Sequence, residues 1–208
     1  MKIMIDIDGV MNRLLETACK MHGIDYTRIR CYSLSRCEDL TEEERKQIMS
    51  EFHNVECFKR AWCVPTSEEV EAMRALCTNA EVYVHSLSYT REIADFKLAQ
   101  LLKYYPRLNE QNIILDVVDE VAEKEVAVYD IIIEDCFENI EKAKEVNPNC
   151  IGIVVDHLYN VSAVCTRGDE PNLIVRSSFT GALTTALEIV YDDLEEDSIY
   201  EYNYEDTM

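Results

Sequence analysis

Positive charge is what this sequence has least of. Twenty Lys and Arg stand against 41 Asp and Glu, a net charge of −21. A surface of that sign is repelled by nucleic-acid backbones and anionic membranes, so neither is expected as a partner. It repels a phosphorylated metabolite as well, and a phosphate site here has to carry its own local positive charge. Long apolar runs are also lacking. No stretch reaches the roughly 20 residues of a membrane span, and the N-terminus lacks the basic-then-apolar layout of a signal peptide. Internal repeats are absent. The expectation is a soluble, cytoplasmic protein.

Cysteine is not scarce, but its nine copies are an odd number and nothing points to secretion, so reduced thiols are expected. Cys31, Cys37, Cys57 and Cys63 form two pairs of equal spacing with His53 nearby, which raises a zinc site. The spacings are wider than the short knuckles of structural zinc, and buried free thiols are the alternative.

With 208 residues and 48% hydrophobic content, the chain holds one ordinary domain, or one domain with a small insert. Its first twelve residues organise the rest. Ile3, Met4, Ile5 and Ile7 read as a strand buried on both faces. Asp6 and Asp8 are set into its end, followed by Gly9. Carboxylates there are costly unless something cationic meets them, and in open α/β sheets the carboxyl end of a strand is where ligands bind.

Residues 13–22 are helical in composition and end at Gly23. Residues 24–64 are polar and cysteine-rich without strand-like runs, and their one clear helix spans 41–52, with Thr41 and Glu44 as a capping box. We read residues 13–64 as a small helical cap inserted after the first strand. A helix over 66–77 follows, and then regular alternation: strands at 81–85, 113–118, 129–133, 150–155 and 173–176, with helices over 90–105, 137–146 and 180–191. Strands separated by helices predict a parallel sheet with helices on both faces, a three-layer α/β core built from residues 1–12 and 65–191. Residues 192–208 carry eight carboxylates and no basic residue, and read as a solvated acidic tail.

Three features follow successive strands. Asp6 and Asp8 are the first, and strand alternation points both to one side. One can attack a phosphorus atom while the other handles the leaving group's proton. Glu134 and Asp135 are the second; converging with Asp6 and Asp8 they would repel one another unless a hard cation such as magnesium sits among them. A helix start with acids at its positive end is the plainer reading. Lys97 is the third. At about 100° per residue, Ile93, Lys97, Leu101 and Tyr104 share one stripe, so Lys97 lies in an apolar face where it needs an anionic partner. Ser86 adds a hydroxyl at the same edge. Together these are the parts of metal-assisted phosphoryl transfer.

At these residues the sequence resembles a known family. Asp6-Ile-Asp8-Gly9-Val10 resembles the first motif of the haloacid dehalogenase superfamily of phosphatases, Ser86 the second, Lys97 the third, and Ile133-Glu134-Asp135 the fourth. Within it, the stretch from Lys97 to Pro106 and the stretch from Cys57 to Pro65 are similar to segments of the 5′(3′)-deoxyribonucleotidases, and Asn160 and Arg176 to Phe179 have counterparts near their C-termini. The resemblance implies a Rossmann-like core and a small cap over the substrate. It implies Asp6 as nucleophile, through an aspartyl-phosphate, and Asp8 as acid and then base. Magnesium would be held by Asp6, the backbone carbonyl of Asp8, and Asp135, with Ser86 and Lys97 on the phosphoryl group and Phe58 and Trp62 stacking on a base. The implied substrate is a nucleoside monophosphate. Another small phosphorylated metabolite, or a catalytically silent binding or regulatory role, are the competing readings.

Overall fold

The computed structural model describes residues 1–118, 128–167 and 170–205, the last ten of them by backbone alone. Six strands form one wholly parallel sheet: β1 (Lys2–Ile5), β2 (Glu81–Ser88), β3 (Ile113–Val117), β4 (Ile131–Glu134), β5 (Ile151–Val155) and β6 (Leu173–Arg176). Their spatial order is β3-β2-β1-β4-β5-β6, a doubly wound Rossmann-like sheet. Chain order reverses at β1, so β1 and β4 flank the crevice where such sheets take ligands.

The pleat sorts the core. On β1, Ile3 and Ile5 face one side and pack with α4 (Ser67–Asn79) and α8 (Phe179–Glu205), through Met73, Leu76, Leu183 and Ala186. Met4 faces the other side, in a cluster with Phe137, Ile140 and Ala143 of α6 (Phe137–Val146). That is the three-layer core expected of the alternating pattern.

Between β1 and α4 the chain forms α1 (Leu14–Met21), two short 3₁₀ turns, α2 (Glu42–Glu51) and α3 (Val55–Ala61). The Thr41–Glu44 capping box starts α2, and a second box, Thr66–Glu69, starts α4. This segment has its own apolar cluster, including Leu14, Ala18, Ile29, Ile48, Cys57 and Phe58. The cluster closes against the core through Ile93 of α5 (Arg91–Tyr104) and through Tyr159. Arg28 fixes the segment internally with a two-pronged grip on Glu44, at 2.6 and 2.9 Å.

Three elements depart from the sequence reading. The helix α3 lies in a stretch that has no cap signal beyond Asn54, which accepts from the backbone N–H of Glu56. A further helix, α7 (Val161–Arg167), follows β5. The last helix does not stop at Tyr191 but runs to Glu205, through most of the residues read as a tail; Asp192 to Glu195 on it are exposed. Residues 206–208 lie outside the described residues. Among the described residues, no helix is long and apolar enough to cross a membrane.

Candidate active site

Register brings the acids together. Ile5 pairs with Ile133 across the β1–β4 ladder, which sets Asp6 level with Glu134, and the Asp6 N–H donates to the Ile133 carbonyl at 3.0 Å. Carboxylate oxygens of Asp6, Glu134 and Asp135 lie within 4.8 Å of one another, and all three residues are buried.

Each of the three is held differently. Glu134 is turned over the start of α6: one oxygen accepts from the N–H groups of Asp135 and Cys136 at 3.0 and 3.2 Å, the other from Asn139 Nδ2 at 2.6 Å. Asp135 receives the phenol of Tyr159 on Oδ2, and its backbone carbonyl accepts from Asn160 Nδ2 at 3.0 Å. Its Oδ1 is buried with no hydrogen-bond partner. Burial, then the charges of Glu134 and Asp6, push the Asp135 carboxyl well above its usual range. A buried acceptor left open among three carboxylates is costly unless a cation meets it. The donor set is all oxygen, which suits a hard divalent ion such as magnesium. The three residues therefore fit such a metal, and Asp135 Oδ1 is the open acceptor among them.

Asp8 stands apart from this cluster. The strand ends at Ile5 and the chain then folds on itself, with the N–H groups of Val10, Met11 and Asn12 converging on the Ile7 carbonyl at 3.2, 2.8 and 3.2 Å. Asp8 sits in that turn and, like Asp6, faces the cavity beyond the sheet edge. Its Oδ2 accepts from Lys97 Nζ at 2.6 Å and its Oδ1 from Asn12 Nδ2 at 2.8 Å. Gly9 sustains the turn with φ of +81°, and a Cβ on it would lie 2.0 Å from Asp135 Oδ2. Only glycine meets both conditions. The Gly9 carbonyl accepts from His157 Nε2, and burial holds His157 below its ordinary pKa.

Lys97 is wholly buried on α5. Besides Asp8 it donates to Ser86 Oγ at 3.0 Å and to the Leu87 carbonyl at 2.7 Å, which uses all three ammonium hydrogens. Phe58, from the inserted segment, lies over it with the ammonium 5.1 Å from the ring centroid.

A cavity of about 1080 Å³ opens between the sheet edge and the inserted segment, and Asp6, Asp8, Ser86 and Asp135 are on its wall. Lys97, Phe58 and Trp62 are not on that wall. Phe58 is 1% exposed, sealed over Lys97, and Trp62 packs edge-on against Phe96 with ring centroids 5.8 Å apart. The aromatic residues that do face the space include Tyr26, Tyr32, Tyr89 and Tyr159. Tyr32 meets Tyr159 edge-on at 6.0 Å, and His157 stacks on Tyr159 at 4.9 Å.

His157, Tyr159 and Asn12 were not picked out by sequence reasoning. The signal was there: residues 156–160 follow β5 at the same sheet edge as Asp6 and Asp135, and the strand-end argument applies to them equally. No cysteine belongs to any metal-competent cluster among the described residues, so the zinc reading of Cys31, Cys37, Cys57, Cys63 and His53 finds no support.

No family model matches the chain, and no curated protein does. Among solved structures it is similar to a haloacid dehalogenase-like hydrolase from Burkholderia xenovorans, at 11% identity and a TM-score of 0.48, over 90% of this chain and 96% of that one. It is also similar to a protein described as a β-phosphoglucomutase from Bacteroides vulgatus, at 15% identity and a TM-score of 0.46, over 89% of each chain.

Proposed function

We propose that this chain is a magnesium-dependent phosphomonoesterase of the haloacid dehalogenase type, acting on a small phosphorylated substrate, with a nucleoside monophosphate as the first choice. One observation carries the reading: Asp135 Oδ1 is buried without a partner beside Asp6 and Glu134, a turn away from an Asp8 already matched to Lys97. The two acids after β1 thus sit in opposite environments, and two roles follow from them.

Asp6, in the cluster, attacks phosphorus and takes the phosphoryl group as an acyl phosphate. Asp8 takes up the proton of a monoanionic phosphate ester as it docks, gives it to the departing alkoxide, and then takes one from the water that cleaves the acyl phosphate. Lys97 and Asn12 engage one Asp8 oxygen each, which leaves lone pairs on both oxygens for that exchange while the carboxylate stays oriented. Asp6, the backbone carbonyl of Asp8, and Asp135 hold magnesium; when bound it supplies positive charge against the phosphoryl oxygens. Ser86 presents its hydroxyl on the cavity wall, and Lys97 lends its charge from behind Ser86 and Asp8.

Residues 13–64 act as the cap over the substrate. Stacking on a base falls to Tyr32 and Tyr89, which face the cavity, because Phe58 is closed over Lys97. Arg13, Arg45 and Lys142 also face the cavity, in a chain that is otherwise strongly acidic. They favour, as a second reading, a phosphorylated metabolite with another anionic group.

The test is hydrolysis of an aryl phosphate with magnesium and with EDTA, by wild type and Asp6→Asn. Magnesium-dependent turnover abolished in the variant is expected; turnover that ignores either change refutes the mechanism, and no turnover at all favours a silent binding role. A panel of nucleoside monophosphates and sugar phosphates then separates the two substrate readings.

A further inference from the structure

The inserted segment holds a pair of sulfurs that the phosphatase reading leaves without a role. Cys31 Sγ and Cys37 Sγ are 2.7 Å apart, and both residues are free thiols. A disulfide bond is about 2.05 Å long, so a small side-chain adjustment joins them. No other described residue completes a metal cluster with them. They bracket a tight loop: Arg36 N–H donates to the Ser33 carbonyl at 2.9 Å, Cys37 N–H to the Leu34 carbonyl at 3.2 Å, and Arg45 Nη2 of α2 to the Cys37 carbonyl at 2.8 Å. Every residue from Tyr32 to Ser35 within that loop is on the cavity wall.

We propose that Cys31 and Cys37 form a reversible disulfide, and that this bond fixes the loop that walls the cavity. The two thiols are not equivalent. Cys37 is 4% exposed, whereas Cys31 is half-buried and is the one an outside reagent reaches. The oxidant is a low-molecular-weight disulfide of the glutathione type. The Cys31 thiolate attacks one of its sulfurs, forming a mixed disulfide and releasing one thiol. The Cys37 thiolate then attacks Cys31 Sγ, forming the intramolecular bond and releasing the second thiol. Two protein thiols lose two electrons and two protons, and the reagent disulfide gains them. Burial and the adjacent Cys37 push the Cys31 thiol up to about 11, which keeps the thiolate scarce and the exchange slow. The pair thus behaves as a clasp set by prolonged change in redox poise, not as a rapid sensor.

The bond and its test stand apart from the phosphatase reading. The full-length protein is reduced, freed of reductant, equilibrated in glutathione buffers of rising disulfide fraction, alkylated, denatured and digested with trypsin. Arg36 lies between the cysteines, so the bond must join the peptide that begins at Cys31 to the one that begins at Cys37. That linked pair is expected, together with a glutathione adduct trapped on Cys31 in Cys37→Ser and no adduct on Cys37 in Cys31→Ser. Both thiols still alkylated in the most oxidising buffer, or Cys31 joined to another cysteine, overturns the proposal. Thermal melting checks the consequence: oxidation raises the midpoint of wild type and of neither serine variant. Equal midpoints for the oxidised and reduced wild type refute the claim that the bond fixes the loop.

Discussion

Lys97 meets Asp8 across 89 residues of chain, with Nζ 2.6 Å from Oδ2 and no part of the lysine exposed. This contact ties α5 to the turn after β1, and so fixes Asp8 against a part of the fold far from it in sequence. It also explains why a lysine is tolerated in an apolar helix face. The ammonium is fully satisfied, and the Phe58 ring keeps water from it.

Replacing Lys97 with Met therefore leaves Asp8 facing an apolar neighbour. Because the Asp8 side chain is 28% exposed, the loss falls short of that for a fully buried pair, and about 2–3 kcal/mol is expected. Urea denaturation measures it. Adding Asp8→Asn in the same chain should restore part of the loss, since the stranded charge is then gone; strict additivity of the two changes would show that the pair is not coupled.

Asp135 makes an opposite prediction about pH. Its folded pKa is raised above the ordinary 3.8, so in the metal-free protein the folded state holds its proton more tightly than the unfolded one. Stability from this group is present below about pH 4 and is lost as pH rises toward the elevated folded value. Asp135→Asn lacks that loss. In EDTA, the stability of the variant relative to wild type should increase from pH 4 to pH 7, and magnesium should raise the melting point of wild type alone. A pH-independent difference would mean that the carboxyl is not under strain.

Gly9→Ala places a methyl against Asp135 Oδ2 and puts a side chain at positive φ. Backbone strain alone costs about 1–2 kcal/mol, and the clash adds to it, so a loss of at least about 2 kcal/mol in chemical denaturation is expected, together with weaker magnesium binding by calorimetry. A silent substitution would place the turn elsewhere than described.

Tyr159→Phe removes only the hydroxyl that meets Asp135 Oδ2. The fold should persist, as circular dichroism will show, while magnesium affinity falls about 10- to 100-fold, the usual cost of losing a group that orients a metal ligand. Unchanged affinity would remove Tyr159 from the site.

Much of the framework was legible because it rests on local rules. The helix over 137–146 has the bounds read from the sequence, and the helix with the Thr41–Glu44 capping box begins where that pair stands. Lys97 was found by periodicity alone, since a 3.6-residue stripe says which helix face is buried without saying what buries it. Extents were less legible where composition misleads. The last helix continues past Tyr191 into a run of carboxylates whose polarity reads as tail. Phe58 looked like a substrate contact because it is an aromatic in a cap; that it lies on Lys97 depends on how the inserted segment docks against α5.

By itself, the sequence determined the parallel α/β core, because hydrophobic period and the alternation of strand and helix follow from neighbours in the chain. Only the tertiary structure decided how the acids of the site divide. Asp6 joins Glu134 and Asp135 because strand register sets them level, whereas Asp8, in the turn after β1, meets Lys97 of α5. Contacts between residues 89 or more positions apart in the chain set that division, and no local pattern carries their distances.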